Sequence, residues 1–328
     1  MIFIEPYAGI SPIVSVINQA KNSVNLNIYY MDDNHIINAL KQARSRGVDV
    51  RIIIDGKPYG LDKQKVENEI IVARKIGAKI KEAPSRFEKH GRDYVFDHAK
   101  YICNLHECEI GTANYSYGAF HYNREYLVVT SKQKIVNAAN KVFNADWNGT
   151  VAGNYPHQIL VLSPGSKSKI LSVINQPGPV NIETEEMGND YEIMKSLIKK
   201  GSLVKIILPS SISRDNKKNI EKLITAGVKV RLMPKSKIYM HAKMIVGNNN
   251  GFIGSENFSY SSLSKNREMG LIIYSKSNLD ELKNQFVKDW NTAIPAIKNI
   301  YSAKNNYNQY HHNDWHKDWH KDWHQYNW

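Results

Sequence analysis

Two short polar motifs recur in the sequence with the same residue types at the same spacing. His98 and Lys100 stand two residues apart, and so do His241 and Lys243. An imidazole can attack phosphorus or protonate a leaving oxygen, and an ammonium group can neutralise phosphoryl oxygens. Two such pairs around one phosphorus atom therefore predict chemistry on a phosphate ester.

The motifs belong to a longer internal duplication. The segment DHAKYICNLHECEIGTANYSYGAFHYNREY returns as MHAKMIVGNNNGFIGSENFSYSSLSKNREM, and a single offset of 143 residues aligns the two without a gap. The offset pairs His98 with His241, Lys100 with Lys243, Asn114 with Asn257, Asn123 with Asn266, and Glu125 with Glu268. Packing alone does not require these polar residues to recur together, so we interpret the set as functional.

The polar set divides into two predicted roles. Lys100 and Lys243, together with Asn114 and Asn257, are candidate phosphate-binding residues, because ammonium and amide groups donate hydrogen bonds to phosphoryl oxygens.

The recurring acids, Glu125 and Glu268, complete the candidate catalytic set. Each carboxylate suits an orienting role in which it holds the far nitrogen of a histidine and fixes the tautomer. An ordinary surface ion pair is the alternative explanation for these two residues.

The elements around the motifs alternate between strands and helices. In the first copy the hydrophobic periodicity predicts helices at 13–20, 35–45 and 66–76, strands at 24–30, 50–55 and 78–82, and a hairpin at 101–110. This order is typical of an α/β fold with a mixed sheet covered on both faces. We therefore expect two tandem α/β sandwich repeats related by a pseudo-twofold axis.

The repeats and the tail define three predicted regions. A first repeat spans 1–154, a second spans 155–302, and a low-complexity tail rich in Trp and His spans 303–328. The tail is interpreted as a solvated extension, and an interfacial anchor or a metal-binding stretch are the alternatives.

Charge and hydropathy exclude several classes of protein. The chain has 328 residues, a formal net charge of +13 and 42% hydrophobic residues, which suits a globular protein with polyanionic partners. No run approaches the roughly 18 apolar residues of a membrane span, which argues against an integral membrane protein. No secretory leader is visible at the start. We expect a secreted or membrane-peripheral protein if a leader was trimmed, and a cytoplasmic one otherwise.

Two cysteines flank a short turn. Cys103 and Cys108 could face each other across a hairpin and pair, and two unlinked structural thiols are the alternative.

The sequences HAK, GTAN and NREY, followed by HAK, GSEN and NREM, resemble the two HKD motifs of the phospholipase D superfamily. The resemblance covers roughly residues 1 to 300. It implies one active site at the interface of two α/β lobes, and phosphodiester cleavage or transfer through a phosphohistidine without metal or cofactor. It also implies that His98 is the nucleophile and His241 the general acid. The family's Asp is replaced by Leu105 and Asn248, which leaves the subfamily open.

Three functions are compatible with these motifs. The leading hypothesis is a phospholipase D that hydrolyses or transfers phospholipid headgroups at a membrane surface. The second is an endonuclease of the same superfamily acting on DNA or RNA, and the third is a catalytically inactive phosphate-binding module. Because both halves of the site lie in one chain, we expect a monomer.

Two further features have alternative interpretations. Glu185 and Glu186 align with Tyr29 and Tyr30 at a strand end, and they are expected in a solvated loop rather than against the substrate. The extra segment 85–97 of the first copy either overhangs the site or forms an inert surface loop.

Overall fold

The computed structural model describes residues 1–89 and 94–296. The predicted tail at 303–328 lies outside these residues, as does part of the extra segment of the first copy. The strands of the first copy are β1 (Ile2–Ile4), β2 (Ser23–Ile28), β3 (Asp49–Ile54), β4 (Lys79–Glu82), β5 (Lys100–Cys103), β6 (Cys108–Gly111), β7 (Asn123–Arg124) and β8 (Tyr126–Thr130).

The second copy has an equivalent series of strands. They are β9 (Val161–Ser163), β10 (Val180–Thr184), β11 (Val204–Pro209), β12 (Lys229–Met233), β13 (Tyr239–Met240), β14 (Lys243–Val246), β15 (Gly251–Gly254), β16 (Glu268–Ile273) and β17 (Ile294–Pro295).

The helices also recur between the copies. They are α1 (Ser11–Gln19), α2 (Asn34–Ser45), α3 (Lys63–Lys75), α4 (Tyr117–His121), α5 (Gln133–Trp147), α6 (Asn154–Ile159), α7 (Lys167–Ile174), α8 (Tyr191–Lys200), α9 (Arg214–Thr225), α10 (Tyr260–Ser264) and α11 (Lys276–Thr292).

The two sheets have the same strand order. The first runs β1-β8-β6-β5-β2-β3-β4, and the second runs β9-β16-β15-β14-β10-β11-β12 with β17 added at its edge. In each sheet the central strands pair in parallel, β2 with β3 and β10 with β11, while the hairpin strands pair antiparallel. The α/β fold of two tandem, mixed-sheet repeats is therefore confirmed. The predicted boundary at 154/155 falls between the strands of the two sheets.

Equivalent helices begin at equivalent caps. The Asp33 side chain accepts hydrogen bonds from the first backbone N–H groups of α2, and Asp190 does the same for α8. An acidic cap satisfies amides that have no partner inside the helix. Helix α2 then buries the side chains of Ile36, Leu40 and Ala43, which share one face at helical spacing.

The hydrophobic residues form an outer core in each repeat and one core between the repeats. Helices α1, α2 and α3 pack on the first sheet in one cluster, and α7, α8 and α9 pack on the second sheet in another. The central cluster contains buried residues of α5 and α11 together with residues of both sheets. Burial of one shared apolar layer therefore fixes the two repeats against each other.

Next to the predicted site, backbone hydrogen bonds connect the two repeats. Strand β13, just before His241, pairs in parallel with β7 of the first repeat. The equivalent position before His98 is a single bridge between Asp97 and Arg267. The His98 amide also donates a hydrogen bond of 2.9 Å to the Arg267 carbonyl. Each histidine is thus anchored on the repeat opposite to its own.

Cys103 and Cys108 form a disulfide across the hairpin of β5 and β6. The two residues are direct partners in the register of these strands, and both are fully buried. The pairing weighed from the sequence is therefore the one that the structure shows.

A membrane-spanning helix, defined by length and apolar character, is not found in residues 1–89 or 94–296.

Candidate active site

The first histidine contacts a glutamate of the second repeat. Nδ1 of His98, at the start of β5, lies 2.9 Å from Oε2 of Glu268, and the Glu268 side chain is fully buried. A carboxylate at Nδ1 favours the tautomer with its proton there, so the Nε2 lone pair remains free. Burial, reinforced by the charges of Lys100 and Lys243, lowers the pKa of His98, although Glu268 opposes this effect. The contact with Glu268 therefore leaves Nε2 as the nitrogen that is available in the neutral form of this histidine.

The second histidine has the reciprocal contact. Nδ1 of His241 lies 2.6 Å from Oε1 of Glu125 in the first repeat, although the angle at the ring nitrogen is not that of a hydrogen bond. The sequence predicted that each glutamate holds a histidine. The structure adds that the contacts cross, so that each repeat supplies the carboxylate for the histidine of the other.

Small polar side chains around the two glutamates fix their positions. The Thr112 hydroxyl donates a hydrogen bond of 2.5 Å to Glu125, and the Asn123 amide donates one of 3.2 Å. In the second repeat Ser262 of α10 at 2.7 Å and Asn266 at 3.1 Å donate to Glu268. Asn266 is the equivalent of Asn123, whereas Ser262 is at the position of Ala119 and not of Thr112. The Asn of Asn-Arg-Glu thus donates to a carboxylate in both repeats, while the hydroxyl donor comes from Gly-Thr-x-Asn in the first repeat and from α10 in the second.

Fixed positions and nearby cations also keep Glu268 charged. Burial acts to raise the pKa of its carboxyl group, but His98 and Lys100 outweigh burial and bring the pKa below its usual value. A charged carboxylate is what an orienting role requires.

Both lysines are fully buried and point into the same region. Each donates a hydrogen bond of 2.7 Å from Nζ to the carbonyl of its own histidine, Lys100 to His98 and Lys243 to His241. Burial, with a further contribution from the charge of Lys243, lowers the pKa of Lys100 to about 7. The two buried ammonium groups are close enough to affect each other, and together with the carboxylates around them they form a charged centre.

A carboxylate that was expected in a solvated loop lies inside this centre. Oε2 of Glu185, just after β10, lies 2.8 Å from Nζ of Lys243 and 3.3 Å from Nε2 of His241. Burial tends to raise the pKa of Glu185, but His241 and Lys243, together with His98, bring it well below the usual value. One carboxylate therefore lies within electrostatic reach of both histidines, and the expectation of a solvated position was wrong.

The neighbouring acid, Glu186, behaves differently. Burial and the charge of Glu185 raise the pKa of Glu186 to about 7. The sequence contains a signal for this difference between the two repeats, because Glu185 and Glu186 replace Tyr29 and Tyr30 at the equivalent strand end.

The two asparagines of the site have unsatisfied side chains. The side-chain oxygens of Asn114 and Asn257 are buried and have no hydrogen-bond partner among the described residues. Each residue lies in the loop that follows the return strand of a hairpin, β6 or β15. These oxygens are acceptors, so they do not by themselves bind a phosphoryl group, and donation from the two amide nitrogens to a phosphate stays a prediction.

Aromatic rings line the first-repeat side of the site. The Tyr29 ring lies 4.8 Å from the His98 ring in an edge-on arrangement, and Phe96 lies 6.3 Å from Tyr29. Tyr59 and Tyr94 continue the cluster at 5.8 Å from each other and are largely exposed. The last part of the extra segment thus contributes Tyr94 and Phe96 beside His98.

The extra segment is tied down at its start. Arg86 donates a hydrogen bond of 2.7 Å to Asp146 of α5. The interpretation as an overhang that sorts substrates stays a prediction, because part of the segment lies outside the described residues.

The arginines of the two Asn-Arg-Glu motifs form a second set of crossed pairs. Arg124 makes hydrogen bonds of 2.7 and 2.9 Å to Asp289 on α11. Arg267 makes equivalent bonds of 2.8 and 3.0 Å to Asp146 on α5. Adjacent residues of one motif therefore reach both a helix and a histidine of the opposite repeat, which links interface packing to site geometry.

Amides hold the hairpin turns where the family pattern has an aspartate. In the first repeat the Asn104 amide donates to the Val16 carbonyl of α1 at 2.9 Å. In the second repeat the Gln176 amide, just after α7, donates to the Asn250 carbonyl at 3.1 Å. Leu105 and Asn248 are thus accommodated because neighbouring amides tie each hairpin to a helix.

Comparison with known families places this arrangement in a class. The family model described as "Cardiolipin synthase, PLD-like domain" matches residues 13–147 and 180–290. The chain belongs to this family, and the resemblance to the phospholipase D superfamily is confirmed.

The individual relatives carry the names of two different kinds of enzyme. A cardiolipin synthase of Alkalihalophilus pseudofirmus is 34% identical over 122 residues, which cover 36% of this chain and 23% of the relative. The virion nicking-joining enzyme of Monkeypox virus is 28% identical over 144 residues, which cover 40% of this chain and 32% of the relative. The matched regions thus span about a quarter to a third of these relatives.

Among solved structures, phosphatidylserine synthase of Haemophilus influenzae Rd KW20 has the same fold. It superimposes with a TM-score of 0.63 at 11% identity and covers 86% of this chain and 83% of that chain. The similarity supports the tandem phospholipase D-like architecture.

Proposed function

We propose that the protein is a phosphodiesterase that forms a phosphohistidine intermediate. The observation that supports this most strongly is the contact of Glu268 with Nδ1 of His98. This contact leaves Nε2 of a neutral imidazole free beside two buried lysines, as a nucleophile for phosphorus requires.

In the first step, Nε2 of His98 attacks phosphorus and the bond from phosphorus to the leaving oxygen breaks. Nε2 of His241 donates a proton to that oxygen, so the leaving group departs as an alcohol. Lys100 and Lys243, with Asn114 and Asn257, donate hydrogen bonds to the non-bridging oxygens as their charge rises.

In the second step, water or an alcohol attacks the phosphohistidine. His241 accepts the proton of the attacking hydroxyl, the bond between phosphorus and nitrogen breaks, and His98 returns to its neutral form. Water as the acceptor gives hydrolysis, and an alcohol gives transfer. Glu125 and Glu268 position the imidazoles without contacting the substrate.

We propose phospholipid headgroup esters as the substrate. The family description and the relative from Alkalihalophilus pseudofirmus both refer to cardiolipin synthase, whose name describes a lipid product. The net charge of +13 favours an anionic membrane surface.

Nucleic acid is the second candidate substrate. The exposed rings of Tyr59 and Tyr94, which adjoin Phe96 in the aromatic cluster, are suited to stacking with bases, and the Monkeypox virus relative is named as a nicking-joining enzyme.

A parallel assay separates the two substrates. The purified protein is incubated with phosphatidylglycerol and phosphatidylcholine vesicles and with plasmid DNA, alongside His98→Ala and His241→Ala. We expect release or exchange of headgroups that both substitutions abolish. Nicking of the plasmid without lipid turnover would instead establish the nuclease, and wild-type inactivity on all three would contradict the proposal.

We further propose that the protein acts as a monomer, because one chain supplies both histidine-lysine pairs. Light scattering during size-exclusion chromatography should give a mass near 37.5 kDa. A stable mass of twice this value would contradict the proposal.

A further inference from the structure

One of the equivalent positions at which the pseudo-twofold symmetry of the site is broken lies next to the catalytic groups. The first repeat has Tyr29, whose ring packs edge-on against His98. The second repeat has Glu185, whose carboxylate contacts both Lys243 and His241. A charged group thus occupies one half of the site where the other half has an uncharged ring.

The partners of Glu185 are groups that the proposed reaction assigns to oxygens of the phosphate ester: Lys243 to a non-bridging oxygen and His241 to the leaving oxygen. Nζ of Lys243 and Nε2 of His241 lie 2.8 and 3.3 Å from the same carboxylate oxygen. A carboxylate and a phosphoryl group are both anions that accept charge-assisted hydrogen bonds. In the free protein the carboxylate therefore satisfies donors that the substrate would use.

We propose that Glu185 competes with the substrate for Lys243 and His241, and that it thereby favours monoanionic phosphodiesters over dianionic phosphomonoesters. This inference rests on the proposed phosphodiesterase function and adds a residue that determines substrate charge.

Displacement of Glu185 is structurally feasible. Among residues 1–89 and 94–296, its other oxygen accepts only a long hydrogen bond of 3.3 Å, from the Tyr239 hydroxyl, and 21% of the side chain is exposed. The backbone of Glu185 is held separately, because its N–H group donates a hydrogen bond of 3.0 Å to the Ala242 carbonyl. The carboxylate can thus leave Lys243 while the strand end stays in place.

Charge explains the predicted selectivity. A displaced Glu185 remains near the phosphoryl group, and its negative charge repels a dianion about twice as strongly as a monoanion at equal distance. A phosphodiester carries one negative charge, whereas a phosphomonoester carries up to two near neutral pH. The site therefore admits the diester at a smaller electrostatic cost.

Anion binding tests the competition without requiring turnover. Isothermal titration at pH 6 compares sulfate, a dianion, with dimethyl phosphate, a monoanion, in the wild type and in Glu185→Gln. We expect the substitution to lower the Kd for sulfate by about tenfold or more, and the Kd for dimethyl phosphate by a clearly smaller factor. Since no reaction is measured, a failure of the proposed enzyme activity would not by itself change this result.

Glu186→Gln is the matched control. Its carboxyl group has a pKa of about 7 and is therefore largely neutral at pH 6, so the substitution should leave both affinities within about twofold. Glu185→Ser serves as a second variant, with circular dichroism as a check of folding in each case.

Unchanged or weaker sulfate binding in the folded Glu185 variants would overturn the proposal. A crystal structure of the wild type with sulfate gives an independent answer. We expect sulfate on Nζ of Lys243 with Glu185 moved away, and sulfate bound with the contact between Glu185 and Lys243 intact would contradict the competition.

Discussion

Glu268 of the second repeat lies 2.9 Å from Nδ1 of His98 in the first. The adjacent residue, Arg267, pairs with Asp146 of the first repeat. Neighbouring side chains of one short motif therefore join the two lobes and orient a histidine. Any change that shifts one lobe against the other is expected to alter the orientation of both imidazoles.

The crossed carboxylates should affect the rate more than binding. Glu268→Gln removes the charge that favours the Nδ1–H tautomer of His98, so we expect kcat to fall on the order of 10²-fold or more with KM nearly unchanged. Steady-state kinetics on a chromogenic diester measure both constants.

Two further variants distinguish orientation from general damage. Glu268→Asp should recover part of the lost rate, because it keeps the charge. Glu109→Gln alters a fully buried acid that pairs with Tyr115 outside the site, and it should leave kcat within a fewfold. If Glu268→Gln raised KM as strongly as it lowered kcat, the result would argue against an orienting role.

The buried arginine pairs should contribute strongly to stability. Arg124 and Asp289 have side chains that are 1% and 7% exposed. Removal of one member leaves a buried charge uncompensated, so Arg124→Met should lower the free energy of unfolding by about 3–5 kcal/mol. Urea denaturation measures the change.

A surface pair provides the control for this prediction. Lys63 and Glu67 form an ion pair one helical turn apart, with side chains 90% and 45% exposed. Lys63→Met should therefore cost less than about 1 kcal/mol. Equal losses from the Arg124 and Lys63 variants would show that the crossed pair does not hold the lobes together.

The pH dependence of kcat/KM should report the pKa values of the essential groups in the free protein. The pKa of Lys100 is lowered to about 7, chiefly by burial, so its ammonium charge is present below that pH and is lost above it. The reaction needs this charge on phosphoryl oxygens, and we expect kcat/KM to fall as the pH rises through about 7. Because burial also lowers the pKa of His98, the acidic fall should lie below pH 6.5.

Two comparisons identify the group responsible. Bound phosphate stabilises the ammonium form, so the alkaline fall in kcat should appear at higher pH than that in kcat/KM. In Lys100→Arg the guanidinium stays charged, and the alkaline fall near pH 7 should disappear. A persistent fall near pH 7 in that variant would assign it to another group.

The disulfide should stabilise the fold without taking part in the reaction. Cys103 and Cys108 enclose a loop of four residues, and the closure of so short a loop is worth about 2 kcal/mol. Reduction with dithiothreitol should lower the free energy of unfolding by that amount and leave kcat unchanged. A loss of kcat in the reduced, folded protein would indicate that the hairpin controls the site.

Much of the fold follows from the sequence because hydrophobic periodicity is local. The predicted helix at 35–45 and strand at 50–55 appear as α2 and β3 within one residue at each end. The duplication likewise predicts two equivalent sheets, since the same pattern must bury the same faces.

The crossed contacts could not be predicted in this way. The repeat shows that a Glu accompanies each His, but the choice of partner depends on how the lobes pack, which is a long-range property. Glu185 was misplaced for the same reason, because its partner Lys243 is 58 residues away and only the mixed sheet brings β10 beside β14.

Detection of a covalent intermediate on His98 is the most direct test of the phosphohistidine mechanism. His241→Asn is mixed with bis(p-nitrophenyl) phosphate, whose leaving group departs without a proton donor, and the protein is analysed by mass spectrometry at alkaline pH. We expect one p-nitrophenyl phosphoryl group on His98, with release of one equivalent of p-nitrophenol. Hydrolysis by the wild type, with no adduct on His98 in the variant, would contradict the phosphohistidine mechanism.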